Sequence, residues 1–94
     1  MNILITAATS AEAHKLKNQF ANDTIILGDY TDLPAFMKII KLPNPASMSY
    51  AHEMLTLCLD KGIEKVYTLE AEEQRLLNEA EQLFAEYGIE VVHS

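Results

Sequence analysis

The sequence predicts an α/β fold: a small Rossmann-like three-layer sandwich with a five-stranded, mostly parallel sheet in the order 3-2-1-4-5 and three main helices. Short continuous apolar runs, of the kind covered on both faces, recur along the chain, beginning with Ile3-Leu4-Ile5. Stretches with apolar residues at helical spacing separate them, so strands and helices alternate as in βαβ units. Right-handed crossovers around a central first strand then give the strand order.

The first strand covers Asn2 to Thr6 and leads into Ala7-Ala8-Thr9-Ser10. Ser10 caps a helix running to about Phe20, with Ala13, Leu16 and Phe20 as a modest apolar stripe and Asn22-Asp23 as its end. Thr24-Ile25-Ile26-Leu27 repeats the buried-strand pattern, and Gly28-Asp29-Tyr30 closes it where backbone freedom is useful. Thr31 to Lys38 contains Pro34 and is too short for a full covering helix. Lys38-Ile39-Ile40-Lys41-Leu42 then alternates as an edge strand does, its lysines suited to a sheet edge.

Pro43-Asn44-Pro45 enforces an extended connection, after which Ser47 or Ser49 starts a helix. Tyr50, Ala51, Met54, Leu55, Cys58 and Leu59 form its stripe, and Gly62 supplies its left-handed end. Lys65 to Thr68 is the fourth strand. One regular helix is expected from about Glu70 to Tyr87, with Leu76, Leu77, Ala80, Leu83, Phe84 and Tyr87 as its stripe, a Glu-rich first turn and Gly88 after its end. Ile89 to His93 is the fifth strand. All three glycines are thereby spent on punctuation.

At 94 residues the chain holds one domain, 1–94, with one core. Seven Lys plus Arg against 14 Asp plus Glu give a net charge of -7. That balance repels phosphate backbones and anionic lipid, so no nucleic acid and no membrane is expected as partner. After Lys65 the sole Lys or Arg is Arg75, while Glu70, Glu72, Glu73, Glu79, Glu81, Glu86 and Glu90 follow, which reads as a solvated helix face. A single cysteine, no signal-like start and no apolar stretch of the ~20 residues a membrane span needs make the cytoplasm the expected compartment.

The first ten residues resemble the start of extended short-chain dehydrogenases and nucleotide-sugar epimerases, which open with an apolar strand and a T-G-A-T-G turn. Thr6-Ala7-Ala8-Thr9-Ser10 has alanine and serine where that family has glycine. Glycines there let backbone N–H groups approach a pyrophosphate, so no dinucleotide cofactor is expected. Tyr30, Tyr50, Tyr67 and Tyr87 have Pro34, Met54, Ala71 and Val91 four places on, so the Tyr-x-x-x-Lys of those enzymes is missing as well.

A second resemblance covers nearly the whole chain. The strand Asn2 to Thr6, Leu27-Gly28-Asp29, Ile40-Lys41-Leu42-Pro43, the Met54 to Gly62 helix, Gly62-Ile63-Glu64-Lys65-Val66 and Gly88-Ile89-Glu90-Val91 carry it. This layout is similar to the N-terminal pre-ATP-grasp domain of carbamoyl phosphate synthetase-like ligases. In that family the domain contributes a wall of the substrate cleft, and the ATP and magnesium residues lie in the ATP-grasp fold that follows. The resemblance therefore implies a free-standing, non-catalytic module with no cofactor of its own, partnered by a second copy or by a separately encoded ATP-grasp-type protein. The first turn lacks the Gly-Arg pair often found in the family.

Candidate site residues cluster at the strand ends. Asp29 is placed to hydrogen-bond a ribose or other polar small-molecule ligand in the crevice at the strand C-termini, and its plainer reading is a capping or turn aspartate beside Tyr30 and Asp32. Thr6, Thr9 and Ser10 edge the same crevice, and Ser10 also reads as a helix cap. His14, His52 and His93 lack metal-ligand spacing and are expected at the surface, so no metal is expected. Cys58 sits on an apolar stripe without an activating neighbour and reads as core. Met37, Met48 and Met54 read as core or loop filling, and Glu72 and Glu73 as charges facing the helix dipole. No catalytic constellation emerges.

Overall fold

The computed structural model of the chain describes residues 1–20, 22–31 and 39–93. Its strands are β1 (Asn2–Ile5), β2 (Thr24–Asp29), β3 (Ile40–Lys41), β4 (Lys65–Thr68) and β5 (Glu90–His93), and its helices α1 (Ala11–Gln19), α2 (Tyr50–Lys61), α3 (Ala71–Glu79) and α4 (Glu81–Glu86). The five strands form one sheet in the order β3-β2-β1-β4-β5, every pair parallel. The register sets Ile3 beside Ile25 on one side and Lys65 on the other, so the hydrophobic run of β1 lies at the centre.

Alternation along β1 divides the core. Leu4 points to the face covered by α2, α3 and α4, where it joins Met54, Leu55, Cys58, Val66, Leu77, Phe84 and Val91. Ile3 and Ile5 point to the other face and pack with Ala13, Leu16 and Phe20 of the α1 region. The predicted stripe of α1 is therefore used. On α2, Tyr50, Met54, Leu55 and Cys58 are buried, but Leu59, expected on the stripe, is 48% exposed.

The expected helix from Glu70 to Tyr87 is two helices, broken at Ala80 with φ -103° and ψ 7°. Strands of four residues span ~13 Å, whereas a straight helix from Glu70 to Tyr87 would run over ~27 Å. Breaking the helix keeps both Leu77 and Phe84 fully buried over the short strands β4 and β5. Tyr87, expected on the stripe, is 55% exposed.

Strand β3 is two residues long rather than five. Leu42 still donates its N–H to Asp29 O at 2.8 Å, and Pro43, which has no N–H, ends the ladder there. The expected stretch from Thr31 to Lys38 lies, apart from Thr31, outside the described residues, as do Met37 and Lys38.

Gly28 lies inside β2 and does not close it. A Cβ built at Gly28 would stand 2.6 Å from the nearest Leu42 side-chain atom, so its role is room for a neighbour rather than backbone freedom. Gly62 (φ 67°) and Gly88 (φ 75°) do take the left-handed conformation after helices, as expected. Among the described residues no helix is long and apolar enough to cross a membrane.

Candidate functional site

The four buried polar or charged residues among those described are Thr6, Asp29, Thr68 and Glu73. Thr6 follows β1, Asp29 and Thr68 end β2 and β4, and Glu73 lies in the first turn of α3. All four therefore gather where the parallel strands finish and the helices begin, the edge at which doubly wound sheets bind ligands.

Three of them are fixed by internal bonds. Thr6 Oγ1 accepts the Leu69 N–H at 3.0 Å, stitching the ends of β1 and β4 together at the point where the chain switches direction across the sheet. Thr68 Oγ1 donates to Val92 O at 3.3 Å, and Thr68 O accepts Gln74 Nε2 at 2.8 Å. Asp29, 7% exposed, accepts the Thr31 N–H at 3.0 Å and the Thr31 hydroxyl at 2.9 Å on Oδ1. It is thus a turn aspartate set at the crevice.

The first turn is equally committed. Ser10 is the N-cap of α1, its hydroxyl accepting the Ala13 N–H at 3.2 Å. The N–H groups of Thr6, Ala8 and Ser10 bond Tyr67 O, Gly28 O and Ala7 O. These three donors are thus already used by backbone acceptors. Ala7 adopts φ 50°, the left-handed conformation that glycine takes without cost, so the turn keeps a glycine-like backbone without a glycine. Thr9 stands exposed beside it. The structure therefore brings Thr6, Thr9, Ser10 and Asp29 to one sheet edge, with Thr6, Ser10 and Asp29 already engaged.

Glu73 differs from these. It is fully buried, and its Oε2 accepts the hydroxyl of the equally buried Tyr50, the first residue of α2, at 2.6 Å. Its Oε1 has no partner, nor does the buried Oε2 of Glu70, the N-cap residue of α3. Burial raises the Glu73 carboxyl most, the Tyr50 hydroxyl opposes it, and the nearby Glu70 and Asp29 raise it again, to about 7. Tyr50 is held far above its usual range by burial and by Glu73. A carboxyl that holds its proton near neutrality can act as a hydrogen-bond donor as well as an acceptor.

Sequence reasoning placed Glu73 on a solvated face and missed it. The signal was present: Glu73, Leu77, Ala80 and Phe84 fall at spacings of four, three and four, so Glu73 continues the apolar stripe of its own helix. A tyrosine on the buried stripe of α2 likewise needs a polar partner for its hydroxyl. Glu72, by contrast, is exposed and paired with Arg75, which holds its carboxyl below the usual range.

Cys58 is buried and burial pushes its thiol up to about 12, which suits a core residue rather than a nucleophile. His14 and His52 are exposed, Met54 is buried, and Met48 is fully exposed on the α2 approach. Among the described residues no group of three or more His, Cys, Asp or Glu side chains is placed to hold a metal ion. A groove of about 330 Å³ between α4 and β5, lined by Glu81, Ala85, Gly88, Ile89, Glu90 and Val91, opens at the other end of the sheet. A scan against protein-family models finds no match for the chain, and neither does a search of curated proteins.

Proposed function

We propose that the chain is a non-catalytic binding module that presents the C-terminal edge of its sheet to a partner, in the manner of the pre-ATP-grasp domain its layout resembles. A separately encoded ATP-grasp-type ligase is the partner this reading names, with a second copy of the chain as the competing one. The observation that carries it is the segregation of polar burial: Thr6, Asp29, Thr68 and Glu73 all lie at one edge. Burying polar groups costs stability that a purely structural core avoids, so their concentration at the ligand-binding edge of this sheet type favours a function there. The first turn, with alanines and with the N–H groups of Thr6, Ala8 and Ser10 bonded to backbone carbonyls, fits a contact surface better than a phosphate cradle.

Light scattering on the purified chain, alone and mixed with an ATP-grasp protein lacking its own N-domain, tests this. The expected result is a complex that Thr9→Arg, at the exposed rim of the edge, abolishes. A strict monomer that binds no such protein sinks the reading.

A second reading, a small-molecule or nucleotide sensor in the crevice at the ends of β1 and β2, rests on Asp29, whose carboxylate is held at the crevice by Thr31. Thermal-shift screening against nucleotides, phosphates and amino acids addresses it. A ligand at 100 times its Kd adds ~2.7 kcal/mol, and Asp29→Ala should remove that gain. A screen with no shift, or one unchanged by Asp29→Ala, rejects it.

A further inference from the structure

Two buried carboxyl oxygens in the first turn of α3 have no partner, Glu73 Oε1 and Glu70 Oε2. A glutamate at the third helical position commonly reaches back to the N–H of the N-cap residue. Glu73 instead turns inward, its Oε2 fixed by the Tyr50 hydroxyl at 2.6 Å. The Glu70 side chain makes no capping bond, and its carboxyl, three residues before Glu73 at the same helix end, acts on the Glu73 carboxyl.

Two ionised carboxylates do not suit that arrangement, because each offers only acceptors and their like charges repel. A single proton removes both difficulties, since a protonated carboxyl donates one O–H and so satisfies two orphan oxygens together. We propose that Glu70 and Glu73 share one proton between Glu70 Oε2 and Glu73 Oε1, and that this proton is a pH-operated clasp holding the first turn of α3 against the first turn of α2.

The groups around the pair fit this role. Tyr50 faces Glu73 from α2 and Asp29 acts on it from β2, while Cys58, further along α2, acts on Tyr50. Burial keeps the Tyr50 hydroxyl and the Cys58 thiol neutral. The groups that act most on Glu73 are thus a hydroxyl and two carboxylates, each an acceptor or a neutral donor. Below neutrality the clasp is closed. Above it, two buried charges face each other beside Asp29, and the first turn of α3 relieves them by parting from α2 and admitting water. The clasp depends on this chain alone, so it stands whether or not a partner binds the same edge.

Carbon-13 NMR titration of the glutamate carboxyls in the full chain tests it, in the wild type, Glu70→Gln and Glu73→Gln. One carboxyl is expected to titrate near neutrality, to vanish in Glu73→Gln, and to lose about tenfold in proton affinity in Glu70→Gln. Amide exchange at Glu72, Glu73 and Gln74 is expected to quicken through the same transition in the wild type. Ordinary titration of every glutamate, or a near-neutral one untouched by Glu70→Gln, overturns the proposal. Should Glu73→Gln not fold, the wild type and Glu70→Gln still decide it.

Discussion

Where the strands begin, charged groups sit at the surface in opposite pairs, whereas where the strands finish they are buried among acceptors. At the first end the Met1 ammonium meets Asp23 at 3.5 Å and Lys65 meets Glu90 at 3.2 Å, while Asn2 Nδ2 donates to Gly62 O at 3.0 Å. Each of these contacts has at least one exposed or half-exposed partner, and the Lys65–Glu90 pair lies across β4 and β5 in register. At the other end Glu73, Tyr50 and Asp29 lie buried, Glu70 has a buried oxygen without a partner, and Ala7 holds a left-handed backbone. Ends that share the same strands and the same core thus differ in electrostatic cost. The inexpensive end explains how the fold closes, and the costly end is where function is to be sought.

The largest single-residue effect should come from Tyr50→Phe. It keeps the packing of α2 but leaves the second Glu73 oxygen without a donor, at a cost of about 1–3 kcal/mol, measured by urea unfolding. An effect below a few tenths would mean that Glu73 is solvated and the contrast between the ends false. Gly28→Ala should cost a similar amount or somewhat less, about 1–2 kcal/mol, since its methyl would press on Leu42 in a filled core. A neutral result there would show that Leu42 gives way.

Smaller effects sharpen the comparison. Lys65→Ala removes one exposed pair from the inexpensive end and should cost under about 1 kcal/mol, shrinking further in high salt. Ala7→Gly relieves a left-handed alanine while loosening the unfolded chain. The two effects nearly cancel, leaving a gain of no more than about 1 kcal/mol. A clear loss of stability would show that the Ala7 methyl packs in a way its backbone strain conceals.

Much of the fold was legible because its signals are local. Ile3-Leu4-Ile5 announces a two-sided strand, Ser10 a cap, and Gly62 a helix end, and the parallel 3-2-1-4-5 order follows from connection rules. The break at Ala80 was not legible, because no glycine or proline marks it and the apolar stripe runs straight through; the length of the neighbouring strands imposes it. Gly28 was misread for a related reason, since the atom that needs its space belongs to Leu42 on another strand. The edge that gathers Thr6, Thr9, Ser10 and Asp29 could be anticipated from topology alone. Glu73 could not be paired with Tyr50, because the two are 23 residues apart and meet only once α2 and α3 lie on one face.

The measurement that bears most directly on the costly end is the difference in unfolding free energy between wild type and Glu73→Gln, followed from pH 4 to pH 9. The folded carboxyl is raised from 4.5 to about 7, so the stability it contributes is fully present below the unfolded value and lost as pH rises through the folded one. Acidic groups remote from the Glu70–Glu73 pair affect both proteins alike, so the difference isolates that pair. The account predicts that the wild type loses about 1–3 kcal/mol relative to Glu73→Gln between about pH 5 and pH 8. A difference that stays flat across that window, or that grows in the wild type's favour as pH rises, would contradict it.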